Sequence, residues 1–359
     1  MSYTEEANNR KRILVAVLDW GLGHAARCVP LIKALLAEGH EVFLGANGRA
    51  LQLLRLEFPQ LPYEEFPAYN IRYISDHMIW NMAWQWPKIL WAAWREHRLL
   101  KQLVDKYHFQ VLISDSRFGC FHPKVKSIFL SHQLWIKIPI RPLEIIVNQI
   151  NHWVIRRFEE CWVPDYSVPP RLAGELSRAI PGVSLHYIGI LSRMEQIRRP
   201  EPSQIIAVLS GPEPQRSRLE QLLIQQALSL REKMVIVQGK TEMHGVGQKV
   251  GPNLTLIPAL SGQALQQLLV EARIVLCRSG YSSLMDLAKL GIPAILIPTP
   301  GQTEQEYLAQ SCAYRQLFFY QSQKDFNLKK ALEKAAAYDG FTEQDSYSAG
   351  LLKAAISRL

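Results

Sequence analysis

Two stretches of this chain place small residues, hydroxyls and titratable groups where an apolar run gives way to a helical pattern. The first is Asp19-Trp20-Gly21-Leu22-Gly23-His24, directly after Ile13–Leu18. Glycines at such a corner let the backbone approach a ligand, and the helix N-terminus that follows offers N–H groups to an anion. His24, at the helix start, is expected to project toward that ligand as a reactive group, with helix capping as its plainer role. This is not the dinucleotide fingerprint. Its third glycine is missing, with Arg27 and Cys28 in that region, and Gly45-Ala46-Asn47-Gly48 follows the second strand where an acidic residue would stand.

The second stretch is Cys277-Arg278-Ser279-Gly280-Tyr281-Ser282-Ser283, after the strand-like run Arg273–Leu276. Ser279, Gly280, Ser282 and Ser283 put small groups and hydroxyls at another helix N-terminus, where the helix dipole favours an anion. Asp286 follows one turn later, either as a ribose-hydroxyl acceptor or as a simple dipole-stabilising acid. Beyond the next strand, Pro298-Thr299-Pro300-Gly301-Gln302-Thr303-Glu304-Gln305 delays helix until about Glu304. Gln302, Glu304 and Gln305 are thereby gathered at one corner, a set of amides and carboxylates suited to a partner with many hydroxyls. A phosphate site, a ribose acceptor and a hydroxyl reader in succession describe a nucleotide-sugar.

In the first half, Ser114-Asp115-Ser116-Arg117-Phe118-Gly119 ends a strand. Asp115 is read as a general base, as the group that orients His24, or as a loop cap. Arg117 is a candidate phosphate contact, and His132 stands at the next strand end.

These corners need strands to carry them. Short β-branched runs alternate with amphipathic segments along the whole chain, which predicts parallel sheets covered by helices on both faces. Strands are expected at Ile13–Leu18, Glu41–Leu44, Val111–Ser114, Ser127–Leu130, Ile205–Leu209, Met234–Val237, Leu254–Pro258, Arg273–Leu276 and Pro293–Ile297. Helices are expected at Ala25–Glu38, Ala50–Phe58, Lys88–Lys106 (with Pro87 opening the first turn), Gln215–Leu230, Ser282–Lys289 and Glu304–Ala313. The alternation lapses where Arg193, Arg198, Arg199, Pro200 and Pro202 crowd together. The expectation is therefore an α/β chain of two doubly wound domains, residues 1–191 and 204–344, with residues 192–203 as linker. A C-terminal helix at about 345–359 is expected to pack back on the first domain. Ligands in such folds bind at the carboxyl ends of the strands, here in a cleft between the domains.

The segment Cys277–Gln310 resembles the donor-binding region of family 28 glycosyltransferases, which have two Rossmann-like domains in the GT-B arrangement. The family includes the peptidoglycan-precursor N-acetylglucosaminyltransferase and plant galactolipid synthases. Gly21–His24 resembles its N-terminal glycine-rich loop, shortened here to WGLGH. The resemblance implies that Ser279 and Gly280 contact a diphosphate and that Asp286 stands where the family has a ribose-binding glutamate. It puts Gln305 at a sugar-binding glutamine position and Ser210-Gly211 at a further phosphate-side loop. Ser114–Gly119, Glu160–Asp165 and Ser210–Arg216 are similar to segments of bacterial glycosyltransferase-like chains.

The 359 residues carry a net charge of +9 and a pI near 9.3, a balance that suits phosphate-bearing partners. The basic residues form no single stripe and match no nucleic-acid module, so nucleic acid is not expected. Five scattered cysteines without a CxxC pair argue for buried thiols, not a disulfide framework or a zinc site. No apolar run is long enough to span a bilayer or to form a signal peptide, so a cytoplasmic chain is expected. Trp80, Trp84, Trp86, Trp91 and Trp94 crowd beside Lys88, Arg95, Arg98 and Lys101. Trp91, Trp94, Arg95 and Arg98 fall on the outer side of the expected helix. With Trp84 they form a candidate patch for an anionic membrane, which Lys124, Lys126, Lys137 and Arg141 extend. Core packing or the wall of an acceptor pocket is the alternative.

Together these readings describe a metal-independent, inverting glycosyltransferase that uses a UDP-sugar as substrate, with no cofactor and with a lipid or lipid-linked acceptor. It would sit in the cytoplasm or on the inner face of the membrane. A nucleotide-sugar hydrolase or epimerase on the same fold, or a non-catalytic nucleotide-sugar-binding protein, are its rivals.

Overall fold

The computed structural model describes residues 10–69, 78–195, 201–240, 247–260, 262–341 and 346–359. They divide into two compact units, one comprising Ile79–Leu191 with the strands before it and Ser346–Leu359, the other built on Ser192–Asp345.

The first unit opens with β1 (Arg12–Val17), α1 (Leu22–Ala37), β2 (Glu41–Ala46), α2 (Gly48–Glu57), β3 (Tyr63–Glu65) and α3 (Met78–Tyr107). It continues through β4 (Val111–Asp115), β5 (Lys126–Leu130), α4 (Arg141–Ile155), β6 (Glu160–Val163), a short 3-10 turn at Gly174–Ser177 and β7 (Leu185–Tyr187). Its sheet runs in the order β3-β2-β1-β4-β5-β6-β7 with every pairing parallel. The near-continuous apolar run of β1 follows from this position, since a central parallel strand is covered on both faces. Phe43, Phe66, Leu100, Leu103 and Phe109 fill one side of the sheet, and Phe129, Leu134, Ile155 and Phe158 belong to another apolar cluster.

The second unit runs β8 (Gln204–Val208), α5 (Gln215–Ala227), β9 (Met234–Val237), β10 (Gln248–Lys249), β11 (Leu254–Ile257), α6 (Gly262–Val270), β12 (Ala272–Cys277), α7 (Tyr281–Leu290), β13 (Ala294–Leu296), α8 (Thr303–Tyr314), β14 (Phe319–Tyr320) and α9 (Leu328–Ala335). Its sheet order is β10-β11-β9-β8-β12-β13-β14, antiparallel only at the β10 edge. Both units therefore reverse strand order beside their first strand, at β1/β4 and at β8/β12, which is where doubly wound sheets bind ligands. The last helix, α10 (Ser346–Ile356), packs on α1, and Lys126 Nζ donates to the Arg358 carbonyl at 3.1 Å.

Two helices differ from expectation. Helix α1 starts at Leu22, which brings His24 inside its first turn. Helix α3 starts at Met78, ten residues before the expected start, with Pro87 in its interior. Proline removes one helical hydrogen bond, but the apolar sequence on both sides continues the helix through it. Residues 196–200 of the expected linker lie outside the described residues.

Candidate functional site

In the first unit, α1 begins at the carboxyl end of β1 with Gly21 at its N-cap, φ +107°, a backbone conformation that favours glycine. No side chain caps this terminus, and its first turn holds no acidic residue. The turn carries Gly23 and His24, and one turn later Arg27 shares their face of the helix. Strand β4 pairs with β1 and delivers Asp115 opposite Val17, so His24 and Asp115 meet at the strand-order reversal. His24 Nδ1 lies 3.1 Å from Asp115 Oδ2. Arg27 Nε lies 3.1 and 3.2 Å from the two Asp115 oxygens, and Arg27 Nη2 donates to Asp115 Oδ1 as well. Arg27 Nη1 donates to His132 Nδ1 at 3.0 Å, which ties the end of β5 into the same cluster.

Asp115 is wholly buried. Burial alone would raise its pKa, but the charge of Arg27, with His24, outweighs it and holds the carboxyl well below the usual carboxylate range. Asp115 thus stays an anion, and its lack of exposure corrects the expectation that it acts directly as general base. Its place is behind His24. A guanidinium only donates, and Arg27 Nη2 already has Asp115 Oδ1 and Ser116 Oγ (3.3 Å) as acceptors. Although Nη2 also lies 3.0 Å from His24 Nδ1, we assign the proton on Nδ1, directed at Asp115. Nε2 then carries a lone pair and can accept a proton. Ser116, immediately after Asp115, has φ +57°, a left-handed conformation uncommon for serine and more frequent at functional sites.

Arg117 does not meet the expectation of a phosphate contact. It is fully buried, pairs with buried Glu96 at 2.7 Å, and donates to the Val17 and Pro67 carbonyls. Glu96 Oε1 also accepts from Gly119 N at 3.0 Å, and a side chain on Gly119 would collide with the Ala93 carbonyl. The Ser114–Gly119 motif is therefore a clasp that fixes the end of β4 against α3. Two other motifs work the same way. Asp165 accepts from the backbone of Tyr166, Leu172 and Ala173 and from Ser177 Oγ; Arg216 binds Glu213, Glu220 and the Gln238 carbonyl.

In the second unit, the loops after β8, β12 and β13 converge. Ser210 and Gly211 are exposed, Gly211 has φ +105°, and a Cβ placed on it would lie 3.6 Å from Thr299 Oγ1. Gly280 caps α7 and has open space before it. Ser279 is corrected: its hydroxyl is buried and donates to the Gln305 carbonyl at 2.7 Å, so only the backbone there suits a diphosphate. The Gln305 amide is engaged too, accepting from Thr299 N at 2.9 Å and donating to Gln302 Oε1. It shapes the loop before α8, whose first turn carries Glu304 and Glu306. Glu306 accepts from Gly301 N at 3.0 Å. Asp286, on α7, accepts from Ser192 Oγ at 2.6 Å, and burial pushes its carboxyl up to about 6 despite that bond and the charge of Arg193.

Two residues of these clusters are not singled out by the sequence. Arg27, which knits the first cluster, was visible only as the third-residue neighbour of His24 on a helix. Thr299 is buried, and its Oγ1 has no hydrogen-bond partner among the described residues.

On α3, Trp91 and Trp94 are exposed, with Arg95 and Arg98 stacked on them at 4.7 Å each. The side chains of Trp80, Trp84 and Trp86 lie outside the described residues. Among the described residues no helix is long and apolar enough to cross a membrane, and no group of His, Cys, Asp or Glu is placed to hold a metal ion.

The family model for the glycosyltransferase family 28 C-terminal domain matches residues 207–351. A glycosyltransferase of Methanosarcina mazei is 23% identical over 318 residues, 82% of this chain and 81% of that one. The UDP-N-acetylglucosamine–N-acetylmuramyl-(pentapeptide) pyrophosphoryl-undecaprenol N-acetylglucosamine transferase of Acetivibrio thermocellus is 29% identical over 107 residues, 28% of each chain. The crystal structure of MurG from Acinetobacter baumannii is similar in fold, with a TM-score of 0.55 at 16% identity over 97% of this chain and 98% of that one. The chain is a glycosyltransferase of the GT-B fold that resembles family 28, with that family's C-terminal domain matched from residue 207 onward.

Proposed function

We propose that this enzyme transfers a sugar from a UDP-sugar to a hydroxyl of a lipid-linked acceptor at the cytoplasmic surface of an anionic membrane. The observation that carries the reading is the His24–Asp115–Arg27 cluster, which joins a partly exposed imidazole to a buried carboxylate held ionised. His24 Nε2 takes the acceptor proton as the acceptor oxygen bonds to the anomeric carbon. The bond to the diphosphate breaks, and the displacement inverts that carbon. Asp115 holds the imidazole tautomer and stabilises the imidazolium that forms, and Arg27 keeps Asp115 charged.

The leaving diphosphate is assigned to the N-terminus of α7 at Gly280 and to the Ser210-Gly211 loop, with the Thr299 hydroxyl beside it. Asp286 is assigned to the ribose, and Gln302 and Glu304 to the sugar, in the loop that the Gln305 amide shapes. Helix dipole, backbone N–H groups and hydroxyls take the part that a metal ion plays in other transferases, so no metal is required. Gly21, Gly23 and His132 are assigned to the acceptor side. The name of the Acetivibrio relative, with a UDP-sugar donor and a pyrophosphoryl-undecaprenol acceptor, supports both choices. Exposed Trp91 and Trp94, each covered by an arginine, support the membrane.

Calorimetric titration with UDP, TDP and a set of UDP-sugars tests the donor assignment. Tight binding of UDP that survives chelation of divalent ions is expected. Preference for another nucleotide, or loss of binding on chelation, would contradict it.

A further inference from the structure

Helix α4 is amphipathic in the reverse sense. Its buried face is largely polar, with Ile155 at its end in the apolar cluster: Asn148 exchanges hydrogen bonds with the backbone of Ile136 at 2.7 and 2.9 Å, and Asn151 and His152 both reach the Leu134 carbonyl. Glu144, on the same side, accepts from Ile138 N at 2.9 Å. These bonds stitch the helix to the segment after β5. Its outer face is apolar, with Ile145 at 53%, Ile146 at 54% and Trp153 at 57% exposure, and Ile150 beside them. Residues 142, 145, 146, 149, 150 and 153 recur at helical spacing, so they form one stripe. Buried polar side chains with exposed isoleucines reverse the usual order of a water-facing helix, and a contiguous exposed apolar surface marks a contact site.

The charges around the stripe select its partner. Every charged residue among the exposed positions of 141–157 is an arginine: Arg141 at one end, Arg156 and Arg157 at the other. A second copy of this chain docked by the same stripe would set these arginine ends against each other, and the exposed acids flanking the helix are fewer: Glu175, which pairs with Arg178 at 3.4 Å, and Glu159. An anionic bilayer meets both features, since isoleucines and tryptophan enter the interfacial layer while arginines reach headgroup phosphates. Arg157 lies over the Trp153 ring at 4.1 Å and over Phe121 at 5.9 Å, and Phe121 packs on His97 of α3 at 4.8 Å. His97 follows Trp94 by three residues on α3, so the stripe adjoins the aromatic and basic face of that helix.

We infer that α4 is the element by which the first unit seats on an anionic membrane, its stripe of Ile145, Ile146, Ile150 and Trp153 lying in the interfacial layer. This deepens the membrane part of the proposed function and rests on it. The test is co-sedimentation with phosphatidylcholine vesicles, with and without phosphatidylglycerol, using the full chain and two double variants: Ile146→Asp/Ile150→Asp on α4, and Trp91→Ala/Trp94→Ala on α3. Substitutions at exposed positions leave folding intact, which an unchanged melting temperature and circular-dichroism spectrum verify. The α4 variant is expected to lose about tenfold or more in affinity for the phosphatidylglycerol vesicles. Undiminished binding of the α4 variant together with weakened binding of the α3 variant overturns the role of α4 and leaves the membrane reading standing. If the unaltered chain ignores both kinds of vesicle, the membrane reading itself falls. A dimer of the unaltered chain that the α4 substitutions dissociate would show the stripe to be a self-association surface, which also overturns the inference.

Discussion

Nδ1 of His24 stands 3.1 Å from Oδ2 of Asp115, a residue 91 positions away that is brought to it by the parallel pairing of β1 with β4. The pairing puts Asp115 beyond the reach of solvent and leaves the imidazole partly open. In the proposed mechanism the two take different roles: His24 accepts the proton, and Asp115 holds the imidazole in place. His24→Ala removes the first and should lower kcat by roughly 10²–10⁴-fold. Asp115→Asn, which frees the tautomer, should lower kcat with little change in KM for the donor. Calorimetry and steady-state kinetics on both variants check this; a loss of donor affinity as large as the loss of kcat would place His24 in binding instead.

Arg117 supplies a contrasting case. Its pairing with Glu96 is wholly buried, and removing one member of such a pair costs about 3–5 kcal/mol because the other charge is left without compensation. Arg117→Met should therefore lower the denaturation midpoint sharply. Kinetic constants of the fraction that folds should stay near those of the unaltered enzyme. A normal melting temperature with lost activity would return Arg117 to the reaction.

As the proposed ribose contact, Asp286 should tie donor binding to pH. Burial pushes its carboxyl up to about 6, so it becomes protonated as pH falls through that value. A carboxylate accepts from ribose hydroxyls and a neutral acid does so less well, so UDP should bind more weakly below about pH 6. The same raised pKa makes the neutral acid the favoured form in the folded chain. Its stability contribution is full below the ordinary carboxylate range and is lost as pH rises through about 6. Binding and stability thus run in opposite directions with pH. UDP has a phosphate that titrates nearby, and Asp286→Asn separates the two: the variant should retain only the phosphate's pH dependence. An identical profile in both proteins would remove Asp286 from the ribose site.

Thr299 predicts an unusual pair of effects. Its hydroxyl is buried without a partner among the described residues, beside Gly211. Thr299→Val should raise the melting temperature of the unliganded protein, because an unsatisfied buried polar group is replaced by a methyl of similar shape. It should also weaken UDP by about tenfold while leaving uridine unaffected, since a hydrogen bond to a charged acceptor is worth roughly 1.5–3 kcal/mol. Equal losses for UDP and uridine would show that the hydroxyl does not face the diphosphate.

Much of this arrangement was legible in the chain. Alternating apolar runs and amphipathic segments report a parallel sheet directly, because each central strand is buried on both faces. Gly21 and Gly280 were legible as corners because strand, glycine and helix follow at once. What the sequence conceals is which partner a polar residue takes. Asp115 and Arg117 stand two positions apart with similar promise, yet one joins the histidine cluster and the other closes on Glu96 of α3, a partner nothing local announces. Ser279 and Gln305 look like free hydrogen-bonding groups in sequence but bond to each other's loops in the fold. The outward face of helix α4 is concealed for a related reason. Ile145, Ile146 and Ile150 point outward and its asparagines inward, so the period of these apolar residues reports its exposed face.

The central claim is transfer of a sugar from a UDP-sugar to a lipid-linked hydroxyl, and mass spectrometry of the products tests it most directly. Purified enzyme is incubated with a set of UDP-sugars, and a lipid extract, in the presence of a chelator. The account predicts a lipid heavier by one glycosyl unit, UDP released in equal amount, and loss of both products in His24→Ala. Free sugar with UDP and no modified lipid would make the enzyme a hydrolase, and the absence of any UDP release would contradict the account altogether.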